Sequence, residues 1–501
     1  MHNRVVRYYL GIDQGTTGTT AIIFNEGWKI CGRGYSEHKQ FYPKPGWVEH
    51  DPIEIWNKTK ESVAAALNQA NIEAADLRAI GLANQGETCM VWDRKTGEPI
   101  YNAIVWQDRR TARAADELKD ECGDLVTRKT GLPVDAYFSA LKLKWILDTV
   151  EGAWTKVEKR ELLAGTLDTW LLWKMTGGET YLTDPSTASR TMLFNLRTRQ
   201  WDDELLGIIG IPRSILPDIR ETVGHFGNTS PAEFFEATVP IAGSVVDQAA
   251  ALFGQACFRK GSVKTTYGTG CFMLMNTGNE PVKSRNGLIT TAVWSIDKTV
   301  TFALDGGVYI AGAAIQWLRD GIEIIKDAAE TEALANSVPD TGGVYFVPAF
   351  TGLAAPYWDQ YARGMMIGIT GGTTRAHIVR ATLEAIAFQV AENLEVMRKD
   401  SGMPIDVMRA DGGAVVNHFL MQFQADILGI PVAVPVIHQT TALGAAYLAA
   451  LGVGDIDNPD EISKKWKLAQ RYEPAITEDH RLQLMHQWKR TVARAGNWIE
   501  A

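Results

Sequence analysis

Two carboxylates, Asp13 and Asp247, stand where a chain of this pattern could do chemistry. Asp13 closes an apolar run and enters Asp13-Gln14-Gly15-Thr16-Thr17. A Gly/Thr turn at the end of a strand offers backbone N–H groups and hydroxyls to phosphate, with a carboxylate beside them for a divalent cation. Similar turns recur at Tyr267-Gly268-Thr269-Gly270 and Asp411-Gly412-Gly413. Three such turns, far apart in sequence, predict one nucleotide site built from two lobes and point to ATP-dependent phosphoryl transfer. On residues alone, Asp13 also reads as an ordinary hairpin-turn residue. Asp247, between an apolar run at 239–246 and a helix start at 248–253, reads more readily as a helix N-cap than as a general base.

The elements that must position these groups follow from hydrophobic periodicity. Residues 8–24 read as strand, turn, strand; 53–70 as a helix; and 77–83 as a strand leading into Asn84-Gln85-Gly86-Glu87-Thr88. Alternation of strand and helix continues to about residue 250, which predicts an α/β domain. The pattern then restarts, with strands at 262–267 and 271–275 around the second Gly/Thr turn. The repeat predicts two related lobes, 1–253 and 254–501. Residues 417–428 and 442–450 read as helices, the latter with a small-residue face suited to close packing. No low-complexity linker separates the halves, so a substantial interface between them is expected.

The 501 residues are too many for one ordinary core. Hydrophobic residues make up 46% and charged residues 22%, a globular composition, and the net charge of −9 argues against a nucleic-acid partner bound through a broad basic surface. The five cysteines form no C-x-x-C pair, so neither a zinc site nor a disulfide framework is predicted. Met1-His2-Asn3-Arg4 leads towards the first strand without a signal peptide, and no apolar run approaches a membrane span. A reducing cytoplasm is the expected compartment.

The segment 137–146, together with 364–369 and 377–384, resembles the signatures of the FGGY carbohydrate kinases, and similarity to the glycerol-phosphorylating members extends through 42–52, 101–107, 267–278 and 347–353. The resemblance covers residues 8–495 or so. It implies an α/β chain of two ribonuclease-H-like, actin-like ATPase lobes around a central cleft. It also implies ATP and Mg²⁺ as cofactors, Asp13 at the metal, and Gly15, Thr16, Thr17, Thr269 and Gly270 at the phosphates. Gly312 and Gln316 match a helix bordering the nucleotide, and Gly413 and Asn417 match the adenosine pocket. Asp247 becomes the general base, and Glu87, Tyr137, Asp247 and Gln248 become polyol ligands, with Trp106 and Phe272 covering the carbon face. For each lone aromatic, core packing is the commoner role. A homo-oligomer, dimer or tetramer, is implied as well.

Four departures qualify the resemblance. Gly86 stands where these kinases carry an arginine that forks onto substrate hydroxyls, which deletes a fixed charge and is expected to open space beside Glu87. Thr20 replaces an arginine beside the phosphates, and Ala249 a glutamine. Segment 227–235 lacks the Gly-Gly-x-Arg loop of members regulated by fructose 1,6-bisphosphate, so that regulation is expected to be absent. The reading is a kinase for a terminal hydroxyl of a small polyol, glycerol by default. A tetritol or pentulose is the alternative acceptor, and a non-catalytic sugar sensor the rival of another class.

Overall fold

The computed structural model describes residues 6–500, so the opening residues read as leading into the first strand lie outside it. Strands β1 (Tyr8–Gln14) and β2 (Gly18–Asn25) form a hairpin in which Asp13 faces Thr20, and the Gly15 N–H closes the turn on the Gly18 carbonyl at 2.9 Å. Strand β3 (Ile30–Glu37) extends the meander. Helix α1 (Pro52–Ala70) starts where Asp51 accepts hydrogen bonds from the Ile53 and Glu54 amides and Pro52 occupies the first turn, two local signals that favour a helix start. Strand β4 (Leu77–Asn84) then runs parallel to β1. After helix α2 (Ser139–Thr149), strand β5 (Ile241–Val246) joins the far side of β4, and helix α3 (Asp247–Gly254) leaves its end. The sheet order is β5-β4-β1-β2-β3.

The second sheet repeats this plan. Strands β6 (Val263–Tyr267) and β7 (Cys271–Gly278) form the hairpin around the second Gly/Thr turn, widened by β8 (Ile289–Ile296) and β9 (Thr299–Val308). Helix α4 (Gly312–Gln316) follows; later come helix α5 (Arg375–Ser401), strand β10 (Met408–Gly412), helix α6 (His418–Leu428), strand β11 (Val432–Pro435), helix α7 (Thr440–Gly452) and strand β12 (Leu468–Tyr472). The order is β8-β9-β7-β6-β10-β11-β12. Here β10 lies parallel to β6 with Thr266 opposite Asp411, as β4 lies parallel to β1 with Asp13 opposite Ala83. Each phosphate-type turn thus sits at the end of a central strand, and the two hairpins are structural equivalents.

Helix α7 belongs in sequence to the second half but packs on the first sheet. A Cβ on Gly11 would stand 2.0 Å from the Ala442 carbonyl oxygen, and one on Gly81 1.8 Å from that of Ala445. Real side chains cannot approach so closely, so these glycines are dictated by the helix lying directly on the strands. The small-residue face read at 442–450 is what makes the approach possible, and residues Ala442 to Ala450 are buried throughout. Among the described residues, no helix is long and apolar enough to cross a membrane.

Candidate active site

The ends of β4, β5, β7 and β9 surround a cavity of about 70 Å³. Its walls include all six residues assigned to the acceptor from sequence: Glu87, Trp106, Tyr137, Asp247, Gln248 and Phe272. Asp247 is the first residue of α3. Its carboxylate accepts the Gln248 amide at 2.7 Å and lies 3.3 Å from the Gln248 side-chain nitrogen, so the helix start holds it in place. Burial, then the nearby Glu87 charge, pushes its pKa up to about 6, while Lys264 opposes the rise. It is therefore a carboxylate that can take up a proton near neutral pH. Gln248 is held in turn by the buried Lys264 ammonium, 2.5 Å from its side-chain oxygen. The rings of Trp106 and Tyr137 meet edge to face at 5.7 Å, and those of Trp106 and Phe272 at 6.1 Å, giving the cavity an apolar side.

The space expected beside Glu87 is absent. A Cβ on Gly86 would lie 2.9 Å from the Val246 Cγ2 and 3.4 Å from the Arg190 Cγ. Nor is the site short of a guanidinium. Arg190 donates from Nε to Glu87 at 2.6 Å and from Nη1 to Asp305 at 2.9 Å, and all three residues are buried. Burial works against the charge, but Glu87 and Asp305 outweigh it and hold Arg190 above its ordinary value. An arginine arriving from another part of the chain lines the cavity, and Val246 fills the volume over Gly86.

Asp13, at the end of β1, opens onto a second cavity of about 430 Å³ together with Asp411 and Gly413. Gly413 also lines a third, of about 260 Å³, with Thr269, Gly312 and Gln316. Burial, then the charge of Asp247, pushes Asp13 up to about 7. Asp411, also raised chiefly by burial, accepts hydrogen bonds from Thr266 at 2.6 Å and Gln255 at 2.7 Å. Asp13, on which burial and the Asp247 charge act in the same direction, suits a hard divalent cation, which would take one or two protein carboxylates and phosphate oxygens.

The remaining residues read as nucleotide contacts divide. Thr16 lines the acceptor cavity and receives the Trp106 indole N–H at 2.8 Å. Gly15 and Thr17 form the hairpin turn, and the Thr17 carbonyl accepts the His38 amide. Gly270 lets the second hairpin close against the Val308 carbonyl, 2.4 Å from where its Cβ would be. Asn417 caps α6, accepting the Leu420 amide at 2.9 Å and donating to Thr331 at 3.0 Å. Sequence reasoning missed Arg190, Lys264 and Asp305. Asp305 carried a signal, since it is a charge that follows the apolar run of its strand; Lys264 lies in the Thr-rich strand Val263–Tyr267 and Arg190 in a short loop segment with no pattern.

Residues 8–254 match the N-terminal domain of the FGGY family of carbohydrate kinases, and residues 263–453 its C-terminal domain. The chain is 54% identical over 494 residues to glycerol kinase 2 of Thermotoga maritima, covering 98% of this chain and 99% of that one. It is 52% identical over 490 residues to the glycerol kinase of Thermus thermophilus, covering 98% and 99%. The crystal structure of Plasmodium falciparum glycerol kinase with ADP superposes with a TM-score of 0.89 at 35% identity over 99% of both chains. A gluconate kinase from Lactobacillus acidophilus, 21% identical with a TM-score of 0.85 over 98% of this chain and 99% of that one, shares the fold. The two domain matches and these full-length relatives place the chain in the FGGY family of carbohydrate kinases.

Proposed function

We propose that this enzyme transfers the γ-phosphoryl group of ATP to a terminal hydroxyl of glycerol, giving glycerol 3-phosphate and ADP. The observation that carries the reading is the small acceptor cavity with its converging polar groups. At about 70 Å³ it suits a small acceptor better than a long one. Acceptors and donors converge there in the proportion a small polyol needs: Glu87, Asp247 and Asp305 accept, Arg190 and Tyr137 donate, and Trp106 and Phe272 cover the carbons. Relatives named glycerol kinase over nearly the whole chain support the same acceptor. Val246 and Arg190 occupy the volume that a tetritol or pentulose was expected to fill, so glycerol is favoured over both.

In this reading Asp247 takes the proton of the attacking hydroxyl as its oxygen bonds to the γ-phosphorus and the bond to the ADP oxygen breaks. Lys264 opposes the rise in the Asp247 pKa and fixes Gln248. Asp13 would hold Mg²⁺, which would supply positive charge to offset that of the phosphates. Thr269, Gly312, Gln316 and Gly413 border the nucleotide; Gly15 and Gly270 shape the turns. Residues 1–253 carry most of the acceptor side together with Asp13, 254–501 carry most of the nucleotide side together with Phe272 and Asp305 at the acceptor, and closure of one on the other excludes water. A cytoplasmic homo-oligomer fits the resemblance. The test is ³¹P NMR of the protein with MgATP and glycerol: a phosphomonoester with the shift of glycerol 3-phosphate supports the proposal, whereas ADP and inorganic phosphate alone would show an ATPase without this acceptor.

A further inference from the structure

Strand β3 presents an arginine to the cleft that the reaction above does not use. Gly32 and Gly34 face α1 so closely that a Cβ on them would stand 2.0 Å from the Ala66 carbonyl oxygen and 1.9 Å from that of Ser62. Alternate residues of a strand point to opposite faces, so Arg33 must leave by the other face. There it pairs across from Ile22, one pleat along from Thr20, which pairs with Tyr35. Arg33 and Thr20 line the 430 Å³ cavity with Asp13 and Asp411, and among the described residues lining it Arg33 is the only lysine or arginine. Its backbone N–H donates to Gln69 at 2.6 Å, but its exposed guanidinium has no hydrogen bond or ion pair among the described residues.

A further feature of this cavity favours anionic oxygens. The 13-residue helix α7 begins at its wall with Thr440 and Thr441, and a helix N-terminus carries partial positive charge. Thr440 is 2% exposed, and its hydroxyl lies beside the Asp411 carboxylate. The carboxylates Asp13 and Asp411 would repel a polyphosphate that arrived without a cation, and Arg33 is the fixed positive charge placed across from them.

We infer that Arg33 binds the polyphosphate tail of the nucleoside triphosphate, opposite Asp13 and the start of α7. The inference deepens the kinase reading and rests on it. Arg33 supplies planar N–H donors for phosphate oxygens, which a guanidinium contacts in pairs. Because Thr20 lines the same cavity from the neighbouring strand, an arginine there would reach the same space.

Calorimetric titration with MgATP and, separately, with adenosine tests this without any acceptor. Arg33→Ala is expected to weaken MgATP about ten- to a hundredfold and leave adenosine unchanged, since charge-assisted contacts to phosphate are lost. Arg33→Lys should lie between, and Arg33→Ala combined with Thr20→Arg should return to within about threefold of the parent, on the scale of one charge-assisted contact. MgATP affinity within twofold of the parent in Arg33→Ala would overturn the inference. So would an equal loss for adenosine, or no recovery in the double variant. A parent that binds no MgATP would overturn the kinase reading along with it.

Discussion

Replacing Arg190 by Met should separate two effects that the structure ties together. The guanidinium bridges Glu87 at 2.6 Å and Asp305 at 2.9 Å, with all three residues at most 6% exposed. A methionine of similar length keeps the packing and removes the charge, leaving two buried carboxylates without their cation. Breaking a buried pair from one side costs about 3–5 kcal/mol. The acceptor also loses a charged donor worth about 1.5–3 kcal/mol, a drop in the specificity constant for glycerol of about ten- to a hundredfold. Denaturant unfolding of the ligand-free protein reads the first effect, and initial rates over a glycerol range read the second. Adding Glu87→Gln should recover part of the stability, because one stranded charge is removed, but none of the activity. If Arg190→Met were as stable as the parent and turned over glycerol with an unchanged specificity constant, Arg190 would not be the residue that compensates for Gly86.

Asp247→Asn should keep the fold and lower kcat by about 10²–10⁴-fold, the usual contribution of a positioned base, and near-normal turnover would remove its role. Because Asp247 must be ionised to accept a proton and its pKa stands at about 6, kcat/KM should fall as pH drops through 6; Lys264→Met should move that limb to higher pH, since Lys264 opposes the rise. An unmoved limb would refute the coupling. Asp13 is raised to about 7 from an ordinary value of 3.8, so its protonated form favours folding at low pH and this contribution is lost as pH rises through 7. Ligand-free Asp13→Asn should therefore be more stable than the parent at pH 8, with the difference shrinking as pH falls and closing only below about pH 4, while Mg²⁺-dependent turnover disappears; a lower Tm at pH 8 would contradict this. Gly86→Arg should lose activity on glycerol rather than gain it, because its Cβ would already press on Val246 at 2.9 Å. A variant that improved on the parent would show that Val246 and Arg190 move aside.

Much of the fold was readable because the chain repeats its own plan. Strand, Gly/Thr turn and strand occur twice, and each hairpin became the centre of a sheet with a carboxylate at a strand end. Asp13 and Asp247 could be read because both end apolar strands, where a charge stands out. Arg190 could not, because it lies 103 residues from Glu87 in a segment whose neighbours carry no period. The misreading of Gly86 has the same origin: a deleted side chain suggests a void, but Val246 and Arg190, which fill it, come from distant segments. Asn417 illustrates the opposite difficulty. Its place in a recognised stretch pointed to the nucleotide, and the structure adds a local role the stretch did not announce, since its amide holds the start of a helix and Thr331.

The specificity constants for glycerol, a tetritol, a pentulose and gluconate, measured side by side by ADP release with MgATP, test the central claim most directly. The account predicts glycerol to be preferred over each of the others by at least about tenfold, since each extra group would have to displace packed side chains or strand a buried polar atom. A longer acceptor turned over better than glycerol would contradict it, and so would ADP release that does not depend on any of them.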